Sequence, residues 1–78
     1  MKLSKGEIGK SYAIREIALD LPVKRRLEIL GMTMNTRVMV MNSKRSGAKI
    51  IKVRGTRFAL GADFAKQIEV EETEGDKI

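Results

Sequence analysis

The stretch Thr36–Leu60, TRVMVMNSKRSGAKIIKVRGTRFAL, decides how this chain folds. TRVMVMN (36–42) is rich in β-branched residues and alternates, as a half-buried strand does. SKRSG (43–47) is a polar, glycine-ended loop. AKIIKVRG (48–55) is a second strand, so the two runs make a hairpin with a basic tip that carries Lys44 and Arg45. TRFAL (56–60) is expected to extend the sheet beyond a kink at Gly55, since glycine inside a strand pattern marks a bulge or sharp bend.

Alternation assigns the two faces of this hairpin. With Val38, Val40, Ile51 and Val53 turned inward, Met39, Met41 and Ile50 turn outward, and Met39 is expected opposite Ile50. An apolar outer patch of that kind points to docking or self-association, and methionine adapts well to partner surfaces. The competing reading is that the N-terminal segment or a helix covers this face. Arg54 and Arg57 bracket Gly55-Thr56 with Lys52 projecting nearby. Guanidinium forks suit a carboxylate or phosphate. These arginines therefore contact an acidic partner face or its bound nucleotide, or they pair with Glu69 or Glu71 across the sheet.

Working outward, SYAIREI (11–17) reads as a strand. ALDLPVKRRLEILG (18–31) reads as a helix with Pro22 at its first position, Asp20 near its positive end and Gly31 as its C-terminal cap. Val23, Leu27 and Leu30 fall at the spacing of one helical face. MTMNT (32–36) reads as a turn with Met34 and Asn35 central, because asparagine tolerates positive φ. GADFAK (61–66) is a short helical turn with Phe64 and Ala65 inward. QIEVEE (67–72) is a last strand with Ile68 and Val70 inside. About five short strands and one or two short helices around one small core make the fold mainly β, a closed or nearly closed barrel.

The chain has 78 residues, enough for one domain, expected over 1–74 with a flexible tail at 75–78. So short a chain buries a modest fraction of its surface, which places function on the surface rather than in a deep cleft. It has no cysteine and no histidine. Disulfides, thiolate metal sites, the usual general base and the commonest transition-metal ligand are therefore missing. With no nucleophile–base pair visible, an enzyme is not expected, and no cofactor or metal site is assigned. The spacings Met32-x-Met34 and Met39-x-Met41 would suit copper(I), but packing explains them without a metal. No apolar run approaches the ~20 residues of a membrane span, and the N-terminus lacks a signal-peptide pattern. The expected location is the cytoplasm.

Charge is uneven. Residues 1–62 carry fourteen Lys/Arg against four acids, whereas residues 63–78 carry two against six. A basic body attracts nucleic acid, an acidic protein face or an anionic membrane. Lys24-Arg25-Arg26 with Lys44-Arg45 could form a nucleic-acid face, but stacking aromatics are few: Tyr12, Phe58 and Phe64. RGTR lacks the spacing and the Lys-Ser/Thr of a nucleotide-binding loop.

KRRLEILGMTMNTRVMVMNS (24–43), followed by the pattern IIKVRGTRFAL…A…I.VE, resembles the FeoA family, the small accessory proteins of bacterial ferrous-iron uptake. It also resembles the FeoA-like domain fused to some metal-dependent repressors. RRLEILGMT (25–33) and VRGTRFAL (53–60) are the most specific pieces, and the likeness runs from about Leu3 to Glu72. It implies an SH3-like barrel. It also implies a role without chemistry of its own: binding the cytosolic part of a FeoB-type transporter, with recruitment to the inner face of the membrane. Where the family often has Pro-Gly, this chain has Met34-Asn35. The residues assigned to partner binding are Met39, Met41, Ile50, Arg45, Arg54 and Arg57. The alternative is a basic nucleic-acid-binding or repressor-associated regulatory barrel. Homo-oligomerisation through the outer hairpin face and activation of the transporter's GTPase by an inserted arginine, Arg45 or Arg57, are further expectations.

Overall fold

The computed structural model describes residues 1–73, so the tail expected at 75–78 lies outside the described residues. Five strands form one antiparallel sheet: β1 (Ser11–Ile17), β2 (Arg37–Ser43), β3 (Lys49–Val53), β4 (Thr56–Leu60) and β5 (Ile68–Glu72). Their order across the sheet is β4-β3-β2-β1-β5. Helix α1 (Leu21–Ile29) links β1 to β2, and the short α2 (Ala62–Ala65) links β4 to β5.

Two bulges curl this sheet around its core. Register shifts between Ile14 and Glu16 against β5, and between Val40 and Asn42 against β3. Arg15 and Met41 are the extra residues. A bulge bends its strand and increases the twist. It also lets Ile14 and Ile17 both face inward although three positions apart. Tyr12, Ile14, Val38, Val40, Ile51, Val53, Ile68 and Val70 are all buried within one cluster.

The N-terminal segment closes one end of this core. Leu3, in a 3-10 turn at Leu3–Lys5, is fully buried. Gly6 lies so close to Val40 and the Leu3 carbonyl that an added Cβ would stand 3.0 Å from each. The Lys49 side chain is also buried, and its Nζ donates to the Gly6 carbonyl at 3.1 Å and to Ser43 Oγ at 2.7 Å. Alternation in β3 explains this inward lysine: Lys49 shares the face of Ile51 and Val53.

Helix α1 starts one residue before Pro22, with Asp20 as its N-cap. It ends in a Schellman motif: the Gly31 amide donates to Glu28 O and the Met32 amide to Leu27 O. Gly31 has φ 107°, a conformation that favours glycine. Leu27 and Met32 are buried and Val23 packs against the core, but Leu30 is 47% exposed, contrary to the expected apolar face. The tight cap turns the chain away before Leu30 can reach the core. Phe64 likewise faces outward while Ala65 is buried, because the single turn of α2 has room for one inward side chain.

The turn before β2 forms as expected. The Thr36 amide donates to Thr33 O at 3.0 Å, Met34 and Asn35 are central, and Asn35 has φ 69°. The β2–β3 tip closes through Gly47 N–H to Lys44 O and Lys44 N–H to Ala48 O, with Gly47 at φ 98°. This is the turn-plus-bulge arrangement of a three-residue hairpin loop.

Candidate functional site

Cross-strand register builds the outer face row by row. Ser11, Met39, Lys52 and Arg57 are successive partners across β1, β2, β3 and β4. Residues directly opposite share a face, so two cations and a methionine lie in line. Next to this row an open hollow of about 450 Å³ is lined by Thr36, Arg37, Met39, Met41, Arg54 and Gly55, with Ser11 and Lys52. Its lining combines the thioethers of Met39 and Met41 with the cations Arg37, Lys52 and Arg54.

Met39, Met41 and Ile50 are all half-buried, so the face is neither fully covered nor fully exposed. The expected pairing of Met39 with Ile50 does not form. Met39 faces Lys52, and Ile50 faces Asn42 on one side and Ala59 on the other. The pair Ser43–Lys49 at the tip already sets Ile50 against Asn42, and the one-residue bulge at Met41 then sets Met39 against Lys52 instead of Val53, neither of which alternation alone reveals. Met39 and Met41 thus line the hollow with Arg54, while Ile50 lies on the same outer face outside it.

At Gly55 the chain reverses instead of kinking. Val53 pairs with Thr56, and the two residues between them have positive φ, 51° at Arg54 and 85° at Gly55. A two-residue loop of that kind is the type I′ hairpin turn. Arginine there is unusual, because the left-handed region costs a non-glycine residue about 1 kcal/mol or more. Its stem lies against the end of α1: a Cβ on Gly31 would stand 3.1 Å from Arg54 Cδ. Its charge is thereby held beside a helix C-terminus, where cations are favoured.

The expected pairing of Arg54 or Arg57 with Glu69 or Glu71 is also absent, for a topological reason. β4 and β5 are the opposite ends of the sheet order. Glu69 receives the Met1 ammonium at 2.6 Å and Lys2 at 3.1 Å, and Glu71 receives Arg15. The hydrogen bond from the N-terminus, then that from Lys2, hold the Glu69 carboxyl below the usual carboxylate value. Lys10 bonds Glu7 at 3.4 Å and Glu72 at 3.5 Å, and Glu7 above all holds its ammonium above the ordinary value. Among the described residues no carboxylate pairs with Lys52, Arg54 or Arg57.

Arg45 stands apart. It lies at the β2–β3 tip, whereas Arg54 lies at the other end of the five-residue β3. At about 3.3 Å per residue that separates them by roughly 16 Å. Met32 is core, which accounts for its place in the methionine spacing. Among the described residues no three acidic side chains cluster as a metal site would need, and no helix is long and apolar enough to cross a membrane.

Sequence reasoning missed two features. Arg37 shares the outer face with Met39, a position that strand alternation would have flagged. Helix α1 and its C-cap also present Leu21, Ile29, which is 84% exposed, and Leu30, and Met34 in the turn that follows is 68% exposed. Tyr12 is buried and Phe58 half-buried on the inner side, so neither offers a base-stacking surface on the outer face.

The FeoA domain family model matches residues 1–72. No curated protein sequence matches the chain significantly. Solved structures do. The FeoA protein of Chlorobium tepidum is 26% identical, with a TM-score of 0.87 over 99% of this chain and 74% of that one. FeoA of Stenotrophomonas maltophilia, solved with zinc, is 26% identical with a TM-score of 0.74, covering 91% of this chain and 89% of that one. That protein is described as a prokaryotic SH3 domain protein and a candidate ferrous iron transport activating factor. A manganese-dependent transcriptional repressor shares the fold at 19% identity and a TM-score of 0.82, over 94% of this chain and 41% of that one. The expected SH3-like architecture stands.

Proposed function

The chain belongs to the FeoA domain family, and from that premise we propose that it is an accessory protein of ferrous iron uptake that acts by binding the cytosolic part of a FeoB-type transporter. The observation that supports a binding role is the hollow lined by Met39, Met41, Lys52 and Arg54, with Arg57 in the adjoining row. Methionine adapts to a partner's shape, and arginine forks recognise carboxylates. Lys52 and Arg57 have no carboxylate partner among the described residues, which leaves them available to a second molecule. The exposed apolar side chains of α1 offer a further contact area. The role is recruitment and regulation in the cytoplasm at the inner face of the membrane, by contact rather than by catalysis.

The test is a calorimetric titration of the chain against the cytosolic part of such a transporter, with GDP and with a GTP analogue, at low and high salt. Duplex DNA is the parallel ligand. Saturable binding to the transporter that persists at high salt supports the proposal, since an interface resting partly on Met39 and Met41 loses only its ionic share. Binding to DNA alone, with the steep salt dependence of phosphate contacts, would overturn it in favour of the regulatory-barrel alternative.

A further inference from the structure

The two edges of the sheet are finished differently. At β5 the N-terminus covers the edge: Lys2 bridges Glu69, and the Val70 amide donates to the Met1 carbonyl at 2.7 Å. Among the described residues β4 pairs only with β3. The pair Val53/Thr56 closes a two-residue hairpin, so Thr56, Phe58 and Leu60 turn their backbone groups toward β3. Arg57 and Ala59 therefore turn theirs outward. Among the described residues no bridge or backbone hydrogen bond reaches either of them. Open edges of this kind accept another strand.

The side chains beside this edge define the visitor. On the outer face Arg57 lies at the margin with Lys52 behind it, both exposed and without a carboxylate partner among the described residues. On the inner face Phe58 is only half-buried against the core. An added strand alternates its side chains between these faces. The residue beside Arg57 meets two positive charges, and the one beside Phe58 meets an incompletely covered ring.

We propose that β4 is a strand-addition site for an extended partner segment that alternates acidic and apolar residues. The segment hydrogen-bonds the backbone of Arg57 and Ala59, sets a carboxylate against Arg57 and Lys52, and sets an apolar side chain against Phe58. This deepens the reading above and rests on the chain being a protein-binding module. The partner is a protein segment rather than nucleic acid, because the edge offers backbone donors and acceptors in strand register and its one aromatic, Phe58, is half-buried on the inner face, away from the cations.

The test uses amide hydrogen exchange and amide chemical shifts of the full chain. The probes are a short alternating Glu/Val peptide, its Lys/Val counterpart, and the transporter's cytosolic part. The expected result is that the Glu/Val peptide slows exchange at Arg57 and Ala59, while the Lys/Val peptide does so at least about tenfold less well, since like charges then face each other. Arg57→Glu should weaken the Glu/Val peptide by about tenfold or more. Ala59→Pro removes one outward donor at an edge position that tolerates proline and should also weaken it, with the β3–β4 ladder intact. Equal binding of both peptides, or binding that leaves the Arg57 and Ala59 amides unprotected, would overturn the inference. Transporter binding without protection at these two amides would also overturn it, leaving the function standing. Peptide protection at β4 without transporter binding would overturn the transporter reading and leave the strand-addition site standing.

Discussion

β5 and β4 are the two ends of one sheet, and they treat charge in opposite ways. β5 is acidic, and each of its glutamates is answered from within the chain: Glu69 by Met1 and Lys2, Glu71 by Arg15, Glu72 by Lys10. The β3–β4 end is basic, and Lys52, Arg54 and Arg57 have no carboxylate partner among the described residues. At the acidic end Glu69 holds Met1 and Lys2 of the N-terminal segment, which covers the edge. At the basic end no carboxylate of the described residues does the same for Lys52, Arg54 or Arg57, and on the proposed function these charges meet a partner. The difference separates charges that are paired within the fold from charges that are not, although both sets look like ordinary surface charge in the sequence.

The comparison breaks most severely if the N-terminal cover is loosened. Leu3→Ala empties a fully buried site and should cost about 2–5 kcal/mol in denaturant unfolding, with faster hydrogen exchange at Val70, whose amide bonds Met1. Next comes Gly31→Ala. A Cβ there meets φ 107° and the Arg54 stem at once, so a loss above about 1 kcal/mol is expected in the same assay, with shifted resonances at Arg54. A smaller effect follows at Glu69. Its native carboxyl titrates below the reference 4.5, so its contribution is present above the unfolded value and fades as pH falls through the lowered native one. Glu69→Gln should flatten that part of the stability–pH curve, and NMR titration of Glu69 should show the lowered midpoint directly. The smallest effect on stability belongs to β4. Arg57→Glu should leave it within about 0.5 kcal/mol while impairing partner binding, and a loss as large as that of Leu3→Ala would show that Arg57 serves the fold.

Much of this architecture was legible in the sequence because local chemistry dictated it. The Met34-Asn35 turn needed a residue that tolerates positive φ, Gly31 closed a helix, and alternation in VMV and IIKV separated inner from outer side chains. Three things were not legible. The register set at the hairpin tip and the bulge at Met41 together pair Met39 with Lys52 rather than Ile50, because pairing depends on the partner strand and not on period alone. Arg54 concealed a hairpin turn, since arginine seldom takes positive φ and only its contact with the α1 end makes sense of it. The N-terminal segment gave no pattern, and its role depends on Leu3 meeting residues far along the chain. As for the candidate site, Met39, Met41 and Arg54 converge on one hollow with Arg57 in the adjoining row. Ile50 and Arg45 lie outside it for reasons of register and of distance along β3.

The most direct test of the central claim is a parallel titration of three proteins against the cytosolic part of a FeoB-type transporter: the unaltered chain, Lys52→Glu with Arg57→Glu, and Glu69→Gln. The account predicts that the doubly reversed basic side loses about tenfold or more in affinity, while Glu69→Gln binds as the unaltered chain does. Undiminished binding by the Lys52→Glu/Arg57→Glu protein, with loss confined to Glu69→Gln, would contradict it and place the partner on the acidic edge.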